Sequence, residues 1–205
     1  MTKENIYPFE PVAGIDEAGR GSLAGPVVAA AVVLHPDRPV EGLKDSKKLN
    51  QSRRRQLSEE IKSKAVCWAV GQASVAEIDE LNIHHATLLA MQRAWHAVPP
   101  GVEHVLVDGL HCPELPASCK AVVKGDQSVP VISAASILAK VTRDEEMLSY
   151  HDKYLQYGFD RHKGYPTAQH IAALREHGPS DLHRKSYRPV RDAMHVHEGE
   201  LNPEH

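Results

Sequence analysis

Residues Pro26 to Leu34 read Pro-Val-Val-Ala-Ala-Ala-Val-Val-Leu, an apolar run with no polar break. It is far too short to cross a bilayer, which takes about 20 residues as a helix, and its valines favour extended chain. A strand without polar alternation must be covered on both faces, so it belongs inside a sheet layered with helices. His35-Pro36-Asp37 closes it. This one segment already points to an α/β domain.

The remaining pattern agrees. Val12 to Asp16 predicts a short strand ending at the glycines of Gly19-Arg20-Gly21, and Ala65 to Ala73 a third strand. Gln51 to Lys64 predicts a helix, with Leu57 and Ile61 one turn apart and Asn50 or Ser52 placed to cap it. A longer helix is expected from Ile83 to Ala97, apolar on two stripes and therefore buried on most sides. Val102 to Val107 and Lys120 to Val123 read as further strands. Ser133 to Tyr150 is the clearest helix: Ala134, Ile137, Leu138, Val141 and Leu148 share a face, with Lys140, Arg143, Glu145 and Glu146 largely off it. From about residue 158 the chain becomes rich in Gly, Pro, His and Arg, which predicts a small helical extension with a helix near Thr167 to Glu176. The expectation is one catalytic domain over 1–192 with a mixed central sheet, followed by a disordered tail over 193–205.

The formal net charge of −3 argues against a polyanionic partner only if charge is spread evenly. It is not. Lys44, Lys47, Lys48, Arg53, Arg54 and Arg55 crowd one stretch, and Arg184, Lys185, Arg188 and Arg191 another. Such patches can follow phosphates while acids gather elsewhere, or they can be solvated surface. The three cysteines, Cys67, Cys112 and Cys119, form no C-x-x-C pair and read as reduced thiols; a zinc site from His111, Cys112 and Cys119 fits no usual spacing. The opening residues contain no apolar signal region, no membrane-spanning stretch is visible, and the cytoplasm is the expected address. No extended exposed apolar stripe is identifiable, so a monomer is expected.

Acidic residues collect at predicted strand ends. Asp16 and Glu17 are adjacent, so in a regular strand they would point to opposite faces; for both to serve one site the strand should end or bulge there. Asp108-Gly109 follows the apolar Val105-Leu106-Val107, and Lys124-Gly125-Asp126 precedes the strongest helix. Carboxylates brought together raise one another's pKa unless a cation neutralises them, and an all-oxygen set suits Mg²⁺ or Mn²⁺. Two such ions would serve phosphodiester hydrolysis. At this point nuclease, phosphatase and phosphotransferase all stay open.

The words of the sequence narrow this. Gly14-Ile15-Asp16-Glu17-Ala18-Gly19-Arg20-Gly21, Leu23-Ala24-Gly25-Pro26-Val27-Val28-Ala29-Ala30 and Asp45-Ser46-Lys47-Lys48-Leu49 resemble motifs of the ribonuclease HII family. So do Asp108-Gly109, Lys124-Gly125-Asp126, the run from Ile132 to Asp144, and His162-Lys163-Gly164-Tyr165-Pro166-Thr167. They occur in the family's order over most of the chain, from Val12 to Asp192.

The resemblance implies a ribonuclease H-like fold, a five-stranded mixed sheet flanked by helices with a C-terminal helical extension. It implies that Asp16, Glu17, Asp108 and Asp126 are the metal-binding catalytic carboxylates. It implies cleavage of RNA–DNA hybrids, and of duplex DNA on the 5′ side of a single embedded ribonucleotide, leaving a 5′-phosphate and a 3′-hydroxyl. Sensing a 2′-hydroxyl needs groups that approach the sugar closely; Gly19, Arg20 and Gly21 have the room, and by resemblance Tyr165 sets a ring on the nucleotide and a hydroxyl toward the 2′ position, at the junction where the next step is DNA. Lys47 and Lys48 are candidate phosphate contacts. Arg143 is placed either on phosphate or on an acid at the core's edge, Arg184 on the DNA strand or in solvent, and His162 and His183 in structural or surface roles. Two other functions compete: a non-catalytic hybrid-binding protein, and a DNA-directed phosphotransferase of the resolvase or recombinase type.

Overall fold

The computed structural model describes residues 8–43 and 49–201, and side chains up to residue 196. Its centre is a five-stranded sheet in the order β3-β2-β1-β4-β5, with β1 at Val12–Ala18, β2 at Val27–Val33, β3 at Cys67–Ala73, β4 at His104–Asp108 and β5 at Ser118–Val122. β1 pairs antiparallel with β2 and parallel with β4, and β4 pairs parallel with β5. The sheet is mixed, as expected. Every residue of β2 is buried, which is how a strand without polar residues has to sit.

The helices are α1 (Gln51–Lys64), α2 (Val75–His96), α3 (Gly125–Ser128), α4 (Pro130–His151), α5 (Phe159–His162), α6 (Ala168–His177) and α7 (Arg188–Leu201). Asn50 caps α1 by accepting from the Arg53 amide, and Thr167 caps α6 through the His170 amide. α2 starts earlier than the apolar pattern predicts and breaks at Asn82, which has φ 64°. Its second part starts where expected, because Asn82 Oδ1 accepts the His84 and His85 amides at 2.9 and 3.3 Å. The earlier turn carries a capping box: Glu77 accepts from the Ser74 amide at 2.9 Å and Ser74 Oγ accepts from the Glu77 amide.

The chain divides into two compact units. The first, Met1–Ala18, Val28–Gln72 and Thr87–Thr142, holds the sheet. In its core Leu57 and Ile61 of α1 pack with Ala30 and Val32 of β2 and with Ala134, Ile137, Leu138 and Val141 of α4. Gly14 of β1 lies so close to the start of α4 that a Cβ there would land on the Val131 carbonyl. Only glycine allows this approach.

The second unit is Gly19–Val27, Ala73–Ala86 and Arg143–His205. It has two small apolar clusters, one around Met147, Tyr157 and Phe159, the other joining Leu23, Leu174, Val190 and Ala193. Val190 and Ala193 belong to α7, which continues to Leu201, past the point where the sequence pattern starts a disordered tail.

Two further results differ from the sequence pattern. Cys112 and Cys119 are joined in a disulfide, leaving Cys67 as a free thiol. Seven residues apart, they bring the loop after β4 against β5, a local contact that spacing alone does not reveal. β1 neither ends nor bulges at Asp16, since its register with β2 runs unbroken through Asp16↔Ala30, Glu17↔Ala29 and Ala18↔Val28. Among the described residues no helix is long and apolar enough to cross a membrane.

Candidate active site

The acids gather where β1 and β4 part. The parallel register ends at Ile15↔Val107, so Asp16 and Asp108 are the next residues on neighbouring strands. A regular pleat would part Asp16 from Glu17, yet the Glu17 charge acts strongly on the Asp16 carboxylate, so the two remain close; Asp16 is buried and Glu17 half-buried. Asp16 Oδ1 accepts the Glu17 amide at 2.7 Å, and its carboxylate also bonds the Ser136 side chain. Asp126 lies four residues after β5, buried in the first turn of α3. Its amide donates to Asp108 Oδ1 at 3.3 Å, and its carbonyl accepts from Ser133 Oγ at 2.5 Å. The chain therefore links Asp16 to Glu17 and Asp108, and Asp108 to Asp126.

Burial lifts the Asp16 pKa well above the ordinary carboxylate range; the charge of Glu17 adds to this, and that of Asp108 adds less. The Ser136 and Glu17 hydrogen bonds work the other way. An ionised Asp16 is thus costly without a cation. The donors are all carboxylate oxygens, the set that Mg²⁺ and Mn²⁺ prefer, so the residues fit a divalent ion. Among the described residues no three acidic, histidine or cysteine side chains already stand in ligating geometry; the acids are neighbours, not a formed cage.

Residues of the second unit expected on the substrate divide into two kinds. Arg20 and Gly21 are exposed, and Tyr165 is half-buried. Arg143 and Arg184, in contrast, are fully buried. Arg143 donates to the carbonyls of Pro26, Ala24 and Lys163 at 3.0 to 3.1 Å. Arg184 donates to the carbonyls of Gly19, Arg20, Gly25 and Pro26 and to the Tyr187 hydroxyl. Both guanidiniums are thus turned to backbone carbonyls rather than to the surface. Their work is to hold the 19–26 loop with its carbonyls turned inward. Gly19, at φ +97°, is glycine for this reason, because a Cβ would fall on Arg143 Nε. The Arg143 guanidinium also lies 5.5 Å from the centre of the Tyr165 ring. Burial pushes the Arg184 pKa down to about 10, which still leaves it charged at neutral pH. Lys47 and Lys48 lie outside the described residues.

Some residues escaped the sequence reading. Ser136 and Ser133 break the apolar side of α4 one turn apart, a polar interruption in a buried helix that signals a partner. Arg143 shares a stripe with Ala139 and Met147, both buried; that spacing was the available sign of its burial. Tyr187, whose hydroxyl donates to the Arg20 carbonyl at 2.8 Å, carries no local sign. Nor does Asp79, which accepts from the amides of Lys185 and Ser186, both at 2.9 Å.

The family model described as Ribonuclease HII matches residues 13–190. The Ribonuclease HII of Dechloromonas aromatica (strain RCB) is 59% identical over 187 residues, 91% of this chain and 95% of that protein. Among solved structures, the ribonuclease H2 from Pyrococcus horikoshii OT3 superposes with a TM-score of 0.73 at 26% identity, covering 94% of this chain and all of that one. The RNase HII of Archaeoglobus fulgidus, solved as a PCNA complex, gives 0.70 at 28% identity over 89% of this chain and 96% of its own. Bst-RNase HIII in complex with Mn²⁺ shares the fold, with a TM-score of 0.70 at 18% identity over 91% of this chain and 70% of its own. A match spanning nearly the whole chain, with acids at the parting of two parallel strands, leads to one conclusion: the chain belongs to the ribonuclease HII family and is a metal-dependent endoribonuclease.

Proposed function

We propose that this endoribonuclease hydrolyses the RNA strand of RNA–DNA hybrids and cuts duplex DNA on the 5′ side of a single embedded ribonucleotide, leaving a 5′-phosphate and a 3′-hydroxyl. The observation carrying this is the adjacency of Asp16 and Asp108 at the end of the β1–β4 register, in a chain that matches the family over 13–190. Asp16, Glu17, Asp108 and Asp126 would hold the metal, two Mg²⁺ or Mn²⁺ ions. Bound there, divalent ions supply an activated water and neutralise charge growing on the leaving 3′ oxygen. The protein contributes position: Ser136 orients Asp16, Ser133 fixes the backbone of Asp126, and the Asp126 amide orients Asp108.

Selection of ribonucleotides falls to Gly19, Arg20, Gly21 and Tyr165. A loop whose carbonyls bond Arg143 and Arg184 turns its amides away from them, and amides can donate to a 2′-oxygen. Lys47 and Lys48 contact phosphate as point charges. The family match over 13–190 supports treating 1–192 as one catalytic domain, and we take it to work as a monomer in the cytoplasm.

Duplex DNA carrying one ribonucleotide, incubated with Mg²⁺ or Mn²⁺, tests this. Expected is one cut 5′ of the ribonucleotide, with an all-DNA duplex left intact. Equal cutting of all-DNA duplex would favour a resolvase- or recombinase-type enzyme, and binding without turnover in either metal a non-catalytic binder.

A further inference from the structure

His162, His170 and His183 are buried in the second unit, and their contacts leave one choice of tautomer. The Ser180 amide donates to His183 Nδ1 at 3.0 Å, so that nitrogen is bare and the ring proton sits on Nε2. His183 Nε2 is 3.0 Å from His170 Nε2; the first donates and the second accepts. The His170 proton is then on Nδ1, which donates to the Tyr165 carbonyl at 3.0 Å.

His162 braces the same segment. The Gly164 amide donates to its Nδ1 at 3.2 Å, and its Nε2 donates to the Tyr157 carbonyl at 2.7 Å. Its ring stacks on His170 at 4.4 Å, and its backbone carbonyl accepts the Tyr165 amide at 2.9 Å. Both backbone polar groups of Tyr165 are therefore held by histidines. All six ring nitrogens are engaged, which leaves no lone pair for a metal. Burial keeps the rings neutral, lowering the His170 pKa to about 4 and that of His183 to about 3. A proton on His170 Nε2 would face the His183 N–H and break the sequence of bonds.

We propose that Ser180, His183 and His170 form a neutral hydrogen-bond relay that positions Tyr165 for ribonucleotide recognition, with His170 and His183 as its positioning residues. The relay bears on catalysis only through the substrate role proposed above for Tyr165. A merely structural role would not select between substrates.

The test compares kcat/KM on duplex DNA carrying one ribonucleotide with kcat/KM on a continuous RNA–DNA hybrid, for the wild type, Tyr165→Ala, His170→Phe and His170→Asn. Only the first substrate has a DNA step beside its ribonucleotide for Tyr165 to read. His170→Phe should lower the ratio about tenfold, the upper weight of one buried hydrogen bond, in the same direction as Tyr165→Ala. His170→Asn, whose amide nitrogen can replace Nδ1, should recover to within about threefold. A ratio lowered by Tyr165→Ala but untouched by His170→Phe overturns the relay. If Tyr165→Ala leaves the ratio unchanged, it is the substrate role of Tyr165 that fails, and the relay is judged by ¹⁵N spectra of the wild-type histidine rings at neutral pH. Protons on His170 Nδ1, His183 Nε2 and His162 Nε2 uphold it; any other pattern overturns it. The wild-type spectra decide even if His170→Phe does not fold.

Discussion

Burial, Glu17 and Asp108 together make an ionised Asp16 costly, and the cost falls on the folded protein whenever no cation is present. Asp16→Asn should therefore raise the melting temperature in the absence of divalent ions while abolishing cleavage. Mg²⁺ or Mn²⁺ should raise the melting temperature of the wild type, since a ligand that binds only the folded state stabilises it, and do so far less for the variant. Differential scanning fluorimetry with and without metal decides this; a lower metal-free melting temperature for Asp16→Asn would contradict it. Arg184 allows a prediction of the opposite kind. Arg184→Met strips hydrogen bonds from buried carbonyls and should cost about 2–4 kcal/mol of unfolding free energy. Arg184→Lys should fare little better, because an ammonium cannot replace a planar fork. Neither should alter the slope of log Kd for substrate against log salt; a slope shallower by about one would mean that the guanidinium does reach a phosphate.

At the scale of elements, the contact between β1 and α4 carries the site. Gly14 allows the approach, Asp16 lies two residues further on, and Ser136 projects from the helix to meet it. Gly14→Ala should destabilise the fold by roughly 3 kcal/mol or more, the range for a forced core overlap. Metal-dependent turnover should fall with it. Urea unfolding together with single-turnover cleavage measures both, and a midpoint near that of the wild type would show that the strand can move aside. These elements also show what a sequence discloses. β2, the acids at strand ends and the Asn50 cap of α1 were legible because period, strand ends and capping residues are local signals. The roles of Arg143 and Arg184 were not, because a charged residue is ordinarily exposed and carbonyls more than a hundred positions away leave no local trace. The burial of Val190 and Ala193 in α7 was hidden for a related reason: their partners Leu23 and Leu174 are remote. The 74–82 turn was readable, through Ser74-x-x-Glu77 and Asn82, but its weak apolar pattern hid it.

For the molecule as a whole, the buried histidines set a pH window. The folded-state pKa of His170 is lowered to about 4 and that of His183 to about 3, against 6.5 for a free ring; burial lowers His162 as well. Below about pH 6.5 the unfolded chain takes up protons that these rings refuse, so stability is complete above that pH and falls on acidification toward pH 3 to 4. Asp16 acts in the opposite sense, its raised pKa letting the folded state keep a proton that the unfolded state gives up. It is one group against three, and the histidines should dominate. Unfolding free energy should drop by roughly 2–5 kcal/mol between pH 7 and 4.5; a flat profile over that range would mean that the rings are not buried as neutral species.

The two arginines that hold the 19–26 loop also impose an order in time. Arg184 meets Gly25 and Gly19 across 159 and 165 positions of chain, and Arg143 meets Ala24 across 119. During synthesis the loop emerges early and waits for both guanidiniums. The four acids and the strands that carry them are all translated by Asp126, well before Arg143. A growing chain thus possesses all four acids before the guanidiniums that fix the 19–26 loop. Contacts of such long range form late, so the 19–26 loop is among the last parts of the fold to be fixed as the chain is made.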